Sequence, residues 1–127
     1  MDSLIKDFLS KKRFAVVGSF RNESKVAYRI LRILKNKGYE VVPVNPNFKE
    51  VGDLKCYPSI KDIPGVIDVV DIVTSPSVTE KIVEECRDKG ITRVWLQPGA
   101  ESESVLKLCR ENGISVIFNL CVMLEAI

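Results

Sequence analysis

Short, continuous apolar runs alternate along this chain with longer stretches in which apolar residues recur every three or four positions. Phe14-Ala15-Val16-Val17, Val41-Val42-Pro43-Val44, Val69-Val70-Asp71-Ile72-Val73, Arg93-Val94-Trp95-Leu96 and Ile114-Ser115-Val116-Ile117-Phe118 read as five strands. Their lack of polar alternation predicts burial on both faces, as in a parallel sheet covered by helices. Between them lie three apolar stripes of helical period: Val26, Ile30, Ile33 and Leu34; Val78, Ile82, Val83 and Cys86; and Val105, Leu108 and Cys109. Gly38, Gly90 and Gly113 stand where each of these helices would end in a left-handed residue before the next strand. Ser75 before Pro76 has the form of an N-cap followed by proline at the first helical position. Leu4, Ile5, Phe8 and Leu9 share one face of an N-terminal helix, with Ser3 as its cap, suited to cover a sheet edge or flank. Pro58 and Pro64 bracket a single helical turn, Ser59-Ile60-Lys61-Asp62-Ile63, joining the second and third strands.

Repeated β-α units predict an α/β fold, a doubly wound five-stranded parallel sheet of Rossmann-like type with strand order 3-2-1-4-5. Residues 1–127 form one expected domain, with 1–12 as the N-terminal helix and lead-in. In such a sheet the ligand crevice lies outside the carboxyl ends of the strands.

Composition narrows the function classes. The formal net charge is +2, spread along the chain, and no basic stripe marks a nucleic-acid surface. The one basic run, Lys11-Lys12-Arg13, reads as a solvated helix end. Asp2, Lys6 and Asp7 interrupt any leader-like stretch, and no apolar run reaches membrane-spanning length, so a soluble, cytoplasmic protein is expected. Cys56, Cys86, Cys109 and Cys121 are far apart without a C-x-x-C pair, which predicts free, largely buried thiols. Histidine is absent, which removes the commonest general base and the usual zinc nitrogen ligand. Trp95 reads as sheet core. Asp68 and Asp71 flank a strand with no defined crevice around them, and so make no acid/base dyad.

The first strand runs into a glycine turn, Val17-Gly18-Ser19-Phe20-Arg21-Asn22-Glu23-Ser24-Lys25, which feeds a helix and aims backbone N–H groups at whatever anion lies above it. It lacks the later glycines of a G-x-G-x-x-G dinucleotide fingerprint and does not match a P-loop. The second strand ends in Val44-Asn45-Pro46-Asn47-Phe48-Lys49, without the carboxylate that accepts hydrogen bonds from an NAD ribose. With Lys25 and Lys49 available, such a site tolerates a phosphorylated ribose better than a free diol.

At these positions the chain resembles the small stand-alone CoA-binding domain family, related to the N-terminal domain of the succinyl-CoA synthetase α subunit. The likeness rests on Val16-Val17-Gly18-Ser19, Ser24-Lys25-Val26-Ala27-Tyr28 and Pro43-Val44-Asn45-Pro46-Asn47. It continues through Cys56-Tyr57-Pro58-Ser59 with Ile63-Pro64, Val69-Val70-Asp71-Ile72-Val73, Val94-Trp95-Leu96-Gln97-Pro98-Gly99 and Asn119-Leu120-Cys121. Phe20 departs from the small residue usual after the Gly-Ser or Gly-Ala pair, and it could close the pocket or stack on the ligand.

The resemblance implies coenzyme A across the strand ends. Gly18, Ser19 and Phe20, with Ser24, Lys25 and Val26, would hold its phosphates; Asn45 and Pro46 would line the adenosine side; Lys49 is a further candidate cation. Thr74, Ser75 and Pro76 match a position that contacts CoA in the synthetase domain. Gln97, Pro98 and Gly99 would form a further wall, with Asn119 and Cys121 nearby. Each has a plainer reading beside it. Ser24 and Thr74-Ser75-Pro76 also suit helix starts, Asn45-Pro46 a turn after a strand, and Cys121 a core or wall thiol.

The synthetases use a histidine from a second domain, and this chain has none, so non-catalytic binding of CoA or acyl-CoA is expected, as carrier, sensor or partner subunit. The alternative is an NAD(P)-binding or acyl-transfer enzyme subunit working with a partner chain. A homodimer is compatible with the exposed flanks of a small open sheet, and neither nucleic acid nor membrane is expected as a partner.

Overall fold

The computed structural model describes residues 2–126. In chain order they form α1 (Asp2–Leu9), β1 (Arg13–Val17), α2 (Val26–Asn36), β2 (Glu40–Val44), β3 (Glu50–Val51), β4 (Leu54–Lys55), a 3-10 turn (Ile60–Asp62), β5 (Val69–Ile72), α3 (Pro76–Lys89), β6 (Arg93–Leu96), α4 (Glu103–Glu111), β7 (Ser115–Ile117) and α5 (Val122–Glu125). The five expected strands appear as β1, β2, β5, β6 and β7 in one parallel sheet. Gly38, Gly90 and Gly113 all adopt positive φ after their helices. The short antiparallel hairpin β3-β4 and the final helix α5 were not foreshadowed by the hydrophobic pattern. Ser3 lies within α1, which begins at Asp2, and so does not cap it.

The sheet order is β2-β1-β5-β6-β7. Counted over the five strands this is 2-1-3-4-5, which corrects the expected 3-2-1-4-5. The reason is visible in β2. Pro43 has no N–H to give to a ladder, and proline is confined to edge strands. Its carbonyl accepts from Tyr57 N at 3.1 Å, on the side away from β1, so β2 is the edge and residues 56–57 cover its tip. The third strand therefore settles against the other side of β1. Asp68 Oδ2 accepts from Arg13 N at 3.0 Å, and Arg13 Nη1 donates to Pro64 O at 2.7 Å, fastening the lead into β5 to the start of β1.

Alternation along the strands builds two cores. Ala15, Val17, Val70, Ile72, Val94 and Leu96 pack with Ile82, Val83 and Cys86 of α3, Val105 and Cys109 of α4, and Ile60, Ile63 and Ile67 of the crossover. Phe14, Val16, Val69, Trp95 and Ile117 pack on the opposite face with Phe8 of α1, Ala27, Ile30 and Leu34 of α2, and Val122 of α5. Trp95 is the hub of that second core: its ring meets Phe8 edge-on at 6.1 Å, and its indole N–H donates to Leu120 O at 2.8 Å. Truncating such a side chain costs about 3–5 kcal/mol. Among the described residues no helix is long and apolar enough to cross a membrane.

One polar pair sits inside the second core. Asp71 is fully buried; its Oδ1 accepts from Gln97 Nε2 at 2.6 Å, while Oδ2 has no partner. Burial pushes this carboxyl up to about 8, partly offset by the Gln97 hydrogen bond. Between the ordinary carboxylate range and about pH 8, the folded chain keeps a proton that the unfolded chain has released. This contribution is complete below pH 4 and is lost as pH rises through 8, by roughly 1.4 kcal/mol per pH unit. Urea unfolding at pH 5 and pH 8 should show a loss of stability in the wild type that Asp71→Asn, which keeps the acceptor for Gln97, largely abolishes. An equal loss in both proteins would refute the assignment.

Candidate functional site

The topology places the crevice between β1 and β5, where successive connections leave the sheet on opposite faces: α2 follows β1 on one face and α3 follows β5 on the other. At that point Val17 O accepts from Val73 N at 2.8 Å, and the chain turns at Gly18. Gly18 does not have positive φ. Its role is close approach: a Cβ there would lie 2.6 Å from Ala27 Cβ and 3.1 Å from Val73 Cβ and Val73 O. The missing side chain lets α2 pack directly on the end of β1.

A cavity of about 480 Å³ opens over this junction, lined by residues 17–19, 44–46, 58–60 and 73–75 and by Val78, Lys81, Ile82 and Glu85 of α3. Its walls are largely apolar, and Val78 stays 45% exposed there. Asn45 Nδ2 donates to Gly18 O at 2.7 Å, and Asn45 Oδ1 accepts from Asn47 N at 2.8 Å. The Asn45 side chain thus ties the β2 tip to the β1 turn.

Ser75 occupies the N-cap of α3 and Pro76 its first position, as expected, but the Ser75 side chain makes no capping hydrogen bond. Thr79 Oγ1 instead donates to Ser75 O at 2.9 Å. The first-turn N–H groups of α3 therefore face the strand ends without a side-chain cap, a ready anion-binding geometry. Lys81 and Glu85 are the ionisable residues of the wall. Glu85 Oε1 accepts from Ile60 N at 3.1 Å, which commits it to holding the 3-10 turn.

Of the candidate residues, the cavity brings together Gly18, Ser19, Asn45, Pro46, Thr74 and Ser75. Others lie elsewhere. Phe20 is 4% exposed and packs in the core with Ala27 and Phe8, which corrects the expectation of a ring at the ligand. Ser24 does not cap α2; Lys25 holds that position without a side-chain bond, and Ser24 N and Oγ both donate to Asn22 Oδ1. Val26 starts α2 outside the cavity wall, and Lys49 is exposed ahead of the hairpin. Pro76 begins α3 without lining the space.

Gln97 is 2% exposed. Beyond its bond to Asp71, its Oε1 accepts from Val122 N at 3.2 Å, so it anchors α5 rather than forming a ligand wall. Pro98 and Gly99 are exposed after β6, with Gly99 N donating to Glu101 Oε1 at 3.1 Å. Asn119 makes an exposed turn at φ 64°. Burial raises the thiols of Cys86, Cys109 and Cys56 above the ordinary range, Cys109 to about 11, consistent with core thiols. Among the described residues no cluster has the composition of a metal site.

Sequence reasoning missed the α3 face and the 58–60 segment. A signal was present: Val78, Lys81, Ile82 and Glu85 recur at i, i+3, i+4 and i+7 in the helix that leaves the third strand. A second depression, about 500 Å³, lies between α2 and the hairpin. Its charged groups pair with one another or with a neighbour, Lys35 with Asp53 at 2.8 Å and Arg32 with Glu23 at 3.2 Å, and it is remote from the strand ends.

Residues 12–127 match the model of a family described as the CoA binding domain. The chain belongs to the CoA-binding domain family. Similar members include an uncharacterized Bacillus subtilis protein, YneT, 31% identical over 93% of this chain and 88% of that one. An ADP-forming acetate–CoA ligase II from Archaeoglobus fulgidus is 33% identical over 88% of this chain, which spans only 18% of the ligase. A solved structure of a hypothetical protein from Pyrococcus horikoshii superposes with a TM-score of 0.94 at 36% identity, covering 98% of this chain and 89% of that one. The family thus includes both chains of this size and a small part of much longer ligases.

The contact at Gly18 makes a direct prediction for this CoA-binding family member. Gly18→Ala should lower unfolding stability by about 1–3 kcal/mol, the cost of overpacking against a Cβ that cannot rotate away. Denaturant melts check it, and an unchanged midpoint would show that α2 can move aside freely.

Proposed function

We propose that this chain binds coenzyme A or an acyl-CoA at the carboxyl ends of its strands and acts as a carrier, sensor or partner subunit rather than as a catalyst. The observation that carries the reading is the cavity at the β1-β5 switch point, apolar along β2, the 58–60 segment and α3, and bordered by the uncapped start of α3. An elongated ligand with an adenine, a run of phosphates and an apolar arm suits such a surface: the ring enters the apolar space and the phosphates meet backbone N–H groups. Membership of the family supports CoA as that ligand.

The second-strand tip weighs against a free nicotinamide dinucleotide. Asn45 stands where a carboxylate would accept the ribose hydroxyls, and its side chain is spent on Gly18 and Asn47. The wall itself supports binding more than chemistry, since its ionisable groups are Lys81 and the committed Glu85. The ligases contain this domain as a fraction of their length, so a partner chain that receives or delivers the ligand fits the same reading.

Thermal unfolding of the purified protein with CoA, acetyl-CoA or NAD tests the proposal. CoA at a hundredfold excess over Kd should stabilise the fold by about 2.7 kcal/mol, with NAD producing little change. No shift with millimolar CoA, or a larger shift with NAD, would overturn it.

A further inference from the structure

We infer that Lys81 is the residue that reads the 3′-phosphate, so that the cavity selects an adenosine phosphorylated on both sides of its ribose. The inference rests on the CoA reading and assigns its specificity to a residue outside the glycine turn. The lysines that sequence alone offered for this role, Lys25 and Lys49, do not line the cavity, whereas Lys81 does.

Lys81 is the cation of a largely apolar wall whose other ionisable residue is Glu85. Glu85, one helical turn on, accepts from Ile60 N with its Oε1, and no ion pair engages Lys81 among the described residues. Its ammonium is therefore available to an anion in the cavity. Lys81 lies five residues past Pro76, about 7.5 Å along the helix axis at the α-helical rise. The α3 start and Lys81 thus offer two anion positions on one helix face, with Val78 between them and Ile82 beside them.

A ligand matching both positions carries one phosphate group at the strand ends and another across the width of a ribose, with an aromatic base to lie on the apolar lining. Adenosine with a 5′-diphosphate and a 3′-phosphate has that form. Dephospho-CoA and NAD lack the second anion and would leave Lys81 without a counter-charge. Asn45 gives a ribose diol no carboxylate in compensation.

Isothermal titration of CoA, dephospho-CoA and adenosine 3′,5′-bisphosphate tests this on the wild type and on Lys81→Ala, Lys81→Arg and Lys25→Ala. The exposed position of Lys81 makes its variants good candidates to fold, which thermal melts without ligand verify. The wild type should prefer CoA over dephospho-CoA by about ten- to a hundredfold, the range for a charge-assisted hydrogen bond. Lys81→Ala should erase the preference by weakening CoA alone, and Lys81→Arg should restore most of it. A preference that survives Lys81→Ala, or that vanishes in Lys25→Ala instead, overturns the inference and leaves CoA binding standing. Equal wild-type affinity for CoA and dephospho-CoA does the same. Failure of the wild type to bind CoA at all overturns both readings.

Discussion

The carboxyl end of this sheet depends on β1 and β5 lying side by side. The hydrogen bond from Val73 N to Val17 O closes the last rung between them, and immediately beyond it one connection leaves toward α2 and the other toward α3. Beside this divergence, between the tips of β1, β2 and β5, the 58–60 segment and α3, lies the cavity. Gly18 lets the arrangement close. With Ala27 Cβ already 2.6 Å from where its own Cβ would stand, any side chain would push α2 away from the strand and widen the junction. A single absent methyl group therefore links the packing of the second core to the shape of the site above the sheet.

The sequence made the element pattern legible because burial on both faces leaves long apolar runs and helix ends leave glycines. All five strands and the three crossover helices follow from that. Strand order did not follow, since adjacency depends on where a connection returns, and apolar runs carry no label for that. Pro43 did carry one. A proline inside an apolar strand marks the sheet edge, and this alone conflicts with an order that places the second strand between two others. The hairpin β3-β4 has too few residues to show a period, and α5 is a single turn held by its bond to Gln97 and by packing in the second core with α2, which local pattern does not encode.

Half of the site was legible for a similar reason. Residues at strand tips, Gly18, Ser19, Asn45, Pro46, Thr74 and Ser75, are found by knowing where strands end. Residues contributed by faces, such as Lys81 and Ile60, require knowing which way a helix or turn is rotated. Gln97 shows the converse error. It stands at a strand tip, yet its amide points into the core to bridge Asp71 and Val122. Phe20 follows the same logic, because a large aromatic residue two positions after a buried strand gains more from the core than from a wet crevice.

The apolar wall bears on whether this surface is meant to stay empty. A single exposed valine is ordinary, but Val78 shares its wall with Ile82, Ile60, Pro58, Pro46 and Val73, and together they form an apolar lining beside the α3 start, whose backbone donors have no side-chain cap. Each side chain of that size covered by a ligand contributes on the order of 1 kcal/mol, whereas a polar replacement would remove this gain without improving the core beneath. Ile60 and Ile82 belong to the first core as well as to this wall, whereas Val78 is left exposed. The wall thus takes its shape from the core beneath it, and Val78 adds apolar surface that the core does not use.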